Sequence, residues 1–271
     1  MSNFFSNLQK VLPHHGMSRL VGHLGKSHHP FIRKAFIRSF ARAYDIDLHE
    51  AQADDLDEYD SFNAFFTRAL KSGSRPIEDG VVSPADGRIS QVGAIQHGTL
   101  LQAKGHRYDI RSLAGKLSGG FDNGQFVTIY LAPSDYHRVH LPLAGVLQET
   151  LAVPGALFSV NGITEAGIEG LFCRNERLVC RFDTEIGPML VVLVGAMIVA
   201  SIETVWPGTP SPYRSEIHQE YQLPLATGDE IGRFLLGSTV IVCFQHQAVS
   251  LKRGLSAGDR LRMGEQIATI S

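Results

Sequence analysis

An α+β fold, with a mainly antiparallel β body behind N-terminal amphipathic, membrane-facing helices, is what the sequence predicts, and three observations carry it. Before Tyr44 apolar residues recur at helical spacing. From about Ile77 short Val- and Ile-rich runs alternate with Gly, Pro and Asp, the rhythm of β sandwiches and barrels. With 271 residues, 44% of them hydrophobic, the chain can also bury a full core.

The elements follow in order. Phe4, Phe5, Leu8, Val11 and Leu12 mark a first short helix before Pro13, and Met17, Leu20, Val21 and Leu24 a second. "PFIRKAFIRSFARAYDI" predicts a third, opened by Pro30, with Phe31, Ile32, Phe36, Ile37 and Phe40 interleaved with Arg33, Lys34, Arg38 and Arg42. A helical patch, "YDSFNAFFTRAL", comes next. The expected strands are "GRISQVGAI", "LLQAK", "QFVTIYLA", "VHLPLAGVLQETLAV", "RLVCRFDT", "MLVVLVGAMIVASI", "STVIVCFQ" and "QIATIS". The division this suggests is a helical membrane-associating region over 1–70 and a β-rich catalytic domain over 71–271.

Charge is split unevenly. The net charge of −2 argues against a general nucleic-acid binder, yet the seven Lys and Arg up to Tyr44 meet no Asp or Glu, so a +7 segment precedes a −9 body. A helix carrying both Phe/Ile and Arg/Lys either packs on a core with a solvated basic face or lies in a lipid headgroup layer. The second is favoured, which makes an anionic membrane surface a partner. The 14-residue run Met189–Ile202 is short of the roughly 20 residues that span a bilayer. The expected location is therefore peripheral, on the cytoplasmic face of the cell membrane. Three cysteines, Cys173, Cys180 and Cys243, form no CxxC pair and suit buried free thiols. His14-His15 and His28-His29 lack acidic or Cys partners at ligand spacing, so no metal is expected.

Chemistry-bearing residues gather in three places. "SPADG" puts Asp86 in a turn before a strand, where turn chemistry alone can account for it. "YLAPSDYHRVHLP" places Tyr136, His137, Arg138 and His140 after a turn. Strand spacing would set the two imidazoles on opposite faces, and a helical turn would bring them together. In "GRFLLGSTVIVCF" a Gly-Ser-Thr interrupts an apolar run. It is either a β-bulge or a scissile bond, because Ser238 Oγ could attack a Gly237 carbonyl that no side chain shields. A nucleophile elbow would show Gly-x-Ser-x-Gly before a helix, and "LGSTVIV" continues as a strand.

"FNAFFTR", "SPADGRIS", "LQAKGH", "YHRVHLP", "VPGALFSVN", "LFCRNERLVC", "ASIETVW" and "GRFLLGSTVI" together resemble phosphatidylserine decarboxylases, pyruvoyl-dependent and self-cleaving at LGST, here Leu236–Thr239. The resemblance covers nearly the whole chain. It implies that Asp86, His140 and Ser238 are a self-processing triad, with His140 the base oriented by Asp86. It implies cleavage between Gly237 and Ser238, and conversion of Ser238 itself to a covalent pyruvoyl group, a covalently held pyruvate, with no external cofactor. That group would form a Schiff base with phosphatidylserine, with His137 used in decarboxylation to phosphatidylethanolamine. The partners implied are the large and small chains of one precursor, with a homodimer left open. Ser159 and Asn161 in "VPGALFSVN" are candidates for substrate contact, though a plain loop explains them as well. Two other classes stay open: a pyruvoyl decarboxylase of a soluble amino acid, and a non-enzymatic membrane-bound β module.

Overall fold

The computed structural model describes residues 25–160, 162–196, 202–208, 211–235 and 238–271. The two expected helices before residue 25, together with Asn161 and Gly237, lie outside the described residues.

Helix α1 (Pro30–Ala43) begins with Pro30, whose missing N–H costs nothing in the first turn and whose fixed φ suits a helix. Ser61 caps the short α2 (Phe62–Phe66) by accepting from the Ala64 N–H. Ile37 and Ala41 of α1 are buried against Phe62, Phe65 and Phe66, and Phe36 stacks on Phe62 at 4.1 Å. The core-packing reading of the basic helix is present. Its inner face builds a core and Lys34 and Arg38 pair with Asp57, while Phe31 stays 83% exposed and Ile32 41%.

The body opens with β1 (Val81–Val82), β2 (Gly87–Ala94), the β3 (Thr99–Leu101) and β4 (Arg107–Asp109) hairpin, α3 (Ile110–Ala114) and β5 (Gln125–Leu131). It continues with β6 (Arg138–His140), β7 (Gly145–Val153), α4 (Gly162–Glu165), α5 (Leu171–Arg174), β8 (Arg177–Thr184) and β9 (Gly187–Val194). The remainder is β10 (Ile202–Thr204), β11 (Ile217–Leu225), β12 (Glu230–Phe234), β13 (Ser238–Phe244), β14 (Val249–Leu251), β15 (Arg260–Leu261) and β16 (Gln266–Ile270). Eight strands form one antiparallel sheet in the order β11-β7-β8-β9-β13-β5-β2-β15. Three-stranded sheets β1-β16-β14 and β10-β12-β6 stand apart from it.

Both faces of the large sheet are covered, which is why its central strands read as unbroken apolar runs. Along β13, Val240, Val242 and Phe244 enter one core with Val139, Ile231 and Ile267 of the small sheets. Ile241 and Cys243 enter the other, with Leu113, Leu171 and Phe172 of the helices. The three cysteines are free, and burial pushes the thiols of Cys173 and Cys243 up to about 12.

Two expected strands divide. "VHLPLAGVLQETLAV" becomes β6 and β7 because Pro142 cannot donate to a ladder, and the pieces join different sheets. "MLVVLVGAMIVASI" likewise yields two strands in different sheets, β9 and β10. The stretch around Gly-Ser-Thr divides too. β12 belongs to a small sheet and β13 to the large one, so Ser238 starts a strand at a junction, and no bulge within one strand is needed to explain it. Gly232 is required for a different reason: a Cβ there would lie 2.5 Å from the Glu203 carbonyl oxygen of β10.

Candidate active site

Ser238 is fully buried at the head of β13, opposite Leu131, the last residue of β5. The chain leaving Leu131 turns through 132–136, with the Ala132 N–H donating to Asp135 Oδ2 at 2.8 Å, and returns as β6. β6 pairs with β12, and the Phe234 N–H donates to the His137 carbonyl at 3.0 Å. His137 is therefore tied to one side of the segment that ends at Ser238, and Leu131 to the other. On the third side Val194 of β9 pairs with Thr239. Asn175 Nδ2 donates to the carbonyls of Phe158 and Gly195, both at 2.8 Å, which brings the half-buried Ser159 loop toward the same end of β9. The His137 segment and the Ser159 loop thus come to the head of β13, where Ser238 stands.

The histidines face different surroundings, as extended spacing of three requires. His137 is fully buried under Phe66, ring centroids 4.0 Å apart. Its Nδ1 donates to the Asp135 carbonyl at 2.8 Å, which leaves Nε2 as a lone-pair acceptor, and Nε2 has no hydrogen-bond partner among the described residues. Burial lowers its pKa to about 3, so the ring is neutral at neutral pH. His140 has both nitrogens occupied: Nδ1 donates to the Gly228 carbonyl at 2.8 Å, and Nε2 accepts from the Tyr136 hydroxyl at 3.0 Å. Burial lowers its pKa too, opposed in part by that carbonyl.

Asp86 is engaged elsewhere. Arg75 grips its carboxylate through Nε and Nη2, at 2.9 and 2.5 Å, and the Met263 N–H donates to it at 2.8 Å. Arg75 is also paired with Glu50, so Asp86 and Glu50 hold one guanidinium between them. Asp86 reaches His140 only as a charge that raises its pKa. An orienting hydrogen bond from Asp86, expected of the triad, is not what holds this ring; the Gly228 carbonyl holds it.

The buried hydroxyls of Ser238 and Thr239 have no hydrogen-bond partner among the described residues. An unmatched buried polar atom costs about 1–3 kcal/mol, and Ser238 Oγ and His137 Nε2 add to that cost beside one junction. Such an arrangement is poor for stability and suits chemistry. A Ser whose backbone nitrogen follows Gly237, with its hydroxyl uncommitted, also fits a residue that is converted to a carbonyl-bearing group in place.

Several contributors carry no motif of their own. Phe66 packs on His137, Arg138 Nε donates to the Thr67 carbonyl at 2.9 Å, and Arg68 Nη2 donates to the Ser134 carbonyl at 2.9 Å. The end of α2 thus forms the wall behind His137 and the segment 134–138. Arg68, Arg75, Asp86, Tyr136 and Arg260, among others, line a cleft of about 660 Å³ that reaches Ser134–Tyr136 but is lined by neither histidine nor Ser238.

Residues 62–269 match the phosphatidylserine decarboxylase family, and residues 4–45 match one described as PSD. The chain is 52% identical to a phosphatidylserine decarboxylase proenzyme of Pseudomonas aeruginosa, over 96% of this chain and 94% of that protein. It is 50% identical to one from Ectopseudomonas mendocina (95% and 94%) and 49% identical to one from Pseudomonas entomophila (98% of each).

Proposed function

The chain belongs to the phosphatidylserine decarboxylase family, and from that premise we propose that its decarboxylase site is made by autocatalytic cleavage between Gly237 and Ser238. The observation that carries the reading is Ser238 itself, a buried and unpartnered hydroxyl at the junction of two sheets. Its Oγ attacks the Gly237 carbonyl, His140 takes the proton, and the acyl group moves from nitrogen to oxygen. Elimination then releases the chain ending at the Gly237 carboxylate and leaves a dehydroalanine at 238, whose imine tautomer takes up water and loses ammonia to become the pyruvoyl group. The ketone of that group supplies the sink for the electron pair freed when CO₂ leaves.

The residues divide the remaining work. The Gly228 carbonyl fixes the proton of His140 on Nδ1, so Nε2 is the basic atom, and Tyr136 must yield it before proton transfer. Asp86, held by Arg75 and Met263, adds negative charge that favours the protonated imidazole. His137, neutral with a bare Nε2, meets the substrate. Cleavage need not loosen the small chain 238–271, because β13 is laddered to β5 and β9 and β16 to β1. Ser159 and Asn161 remain candidates for headgroup contact. Membrane docking through the exposed Phe31 and Ile32 would bring the site to its lipid on the cytoplasmic face. No helix among the described residues is long and apolar enough to cross a membrane.

One observation favours a second reading, in which the histidines exchange roles: His137 Nε2 is unpartnered while His140 Nε2 is occupied. Intact mass of His137→Ala and His140→Ala decides between the two, and that of wild type and Ser238→Ala tests cleavage itself. Wild type should give a small chain starting at residue 238 with a blocked N-terminus, and borohydride should fix substrate to it. Ser238→Ala should stay unbroken. An active sample consisting only of unbroken chain would refute the proposal.

A further inference from the structure

Arg68 is an unusual occupant of its position. It is 5% exposed, burial pulls its pKa down, and no described carboxylate forms an ion pair with it. Nη2 donates to the carbonyls of Ser134 and Asp135, at 2.9 and 3.4 Å, and Cζ lies 5.9 Å from the Phe65 ring centroid. Nη1 has no partner among the described residues. Asp86 and Asp135 act on it only through space. A buried guanidinium left without a counter-charge is costly, and an anion that arrives with a ligand is one way to offset that cost.

The surroundings say where that anion comes from. Arg68 lines the 660 Å³ cleft, and the backbone it grips, Ser134–Asp135, leads directly into Tyr136 and His137. The Asp135 carbonyl accepts from both Arg68 and His137, so the cation and the bare Nε2 share one support. Arg75 and Arg262 in the same cleft are already paired with carboxylates, whereas Arg260 is exposed at its rim.

We propose that Arg68 is the anion-recognition residue of this cleft, taking a phosphodiester oxygen of the phospholipid headgroup on its uncommitted Nη1 and so holding the amino-acid end near His137. The inference rests on the decarboxylase reading of the site. The substrate offers two anions, and transition-state logic selects between them. The carboxylate loses its charge as CO₂ departs, so a cation held against it would stabilise the ground state and slow the step. The phosphodiester is unchanged by the reaction, so a fixed guanidinium there secures binding at no such cost. Its fork also suits phosphate oxygens better than a Lys ammonium would. Nη1 is shielded, so the proposal requires side chains at the cleft mouth to turn as the headgroup enters.

The test uses full-length Arg68→Lys and Arg68→Gln. Both should still yield the small chain by mass, and both should raise KM for phosphatidylserine in micelles, by about tenfold for Lys and up to about a hundredfold for Gln, with a smaller effect on kcat; these are the factors that losing a charge-assisted hydrogen bond implies. Calorimetry with glycerophosphoserine, inorganic phosphate and N-acetylserine separates the anions. Wild type should bind the phosphate-bearing probes, and the variants should lose that binding while keeping whatever affinity the carboxylate probe shows. Loss of cleavage in both variants would make Arg68 a structural pin and overturn the proposal. So would normal cleavage with an unchanged KM, or selective loss of the carboxylate probe. A wild type that binds glycerophosphoserine through Arg68 but releases no CO₂ would instead sink the decarboxylase reading and leave the anion site standing.

Discussion

Lowering pH from 7.5 to 5.5 should destabilise the folded chain through His137. In the fold this ring is buried and held neutral, with its pKa lowered from the ordinary 6.5 to about 3. The unfolded chain therefore binds the extra proton as pH falls below about 6.5, and the folded chain does not follow until about pH 3. Stability is fully present above pH 6.5 and is lost progressively between those values. With one proton taken up only by the unfolded state, the loss between pH 7.5 and 5.5 is about 1.4 kcal/mol, or roughly tenfold in the unfolding constant. His140, whose pKa is also lowered by burial, adds a contribution of the same sign. Urea unfolding followed by Trp206, the single Trp and a buried one, measures the effect. Ser238→Ala provides one unbroken chain, with and without His137→Asn, whose amide can still donate to the Asp135 carbonyl. The Asn chain should lose about 1.4 kcal/mol less over this pH step. If the two chains respond to pH identically, His137 is not a buried neutral group and its assignment fails.

The remaining expectations concern the reaction, the membrane and the backbone. His140→Ala and Asp86→Asn should stay uncleaved by mass, whereas His137→Ala should cleave at least in part and lose most decarboxylation; the opposite pattern in the two histidines would exchange their roles. Phe31→Ser with Ile32→Ser should weaken binding to anionic vesicles with little change in stability, since both side chains are exposed, and added salt should weaken it further by screening the basic helix. Unchanged binding, measured by vesicle co-sedimentation, would argue that α1 serves only its own core. Gly232→Ala should lower the thermal midpoint clearly, because its Cβ has backbone only 2.5 Å away and β12 must shift from β10; an unchanged midpoint would mean that the two strands have room.

What could be seen in the sequence, and what could not, follows from the range of the interactions. β8 and β13 match their expected runs because burial on both faces leaves little but apolar residues in them, and a local pattern reports that directly. The division at Pro142 was carried by one residue within a longer apolar stretch and was easily overridden. Site residues with their own punctuation, Asp86 in a Pro-Ala-Asp-Gly turn and Ser238 after a Gly, could be found the same way. Arg75 and Arg68 could not, because nothing near them in sequence marks an Arg as buried; their partners are 11 and 66 residues away.

The same distinction bears on how the helical region and the β body share the site. Phe66, Thr67 and Arg68 close the end of α2, and each touches the segment 134–138: a ring on His137, a carbonyl under Arg138, a guanidinium on two turn carbonyls. Glu50 reaches further, pairing with Arg75 of the large chain and with Arg262, which cleavage would place in the small one. A boundary at residue 70 would therefore separate His137 and the segment 134–138 from the wall that fixes them. Removing 1–70 should abolish processing along with membrane binding, whereas removing only 1–24 should spare the described contacts that hold the histidine segment. If the 71–271 fragment cleaves normally, the backing from α2 is dispensable and the positioning argument for Phe66 and Thr67 is wrong.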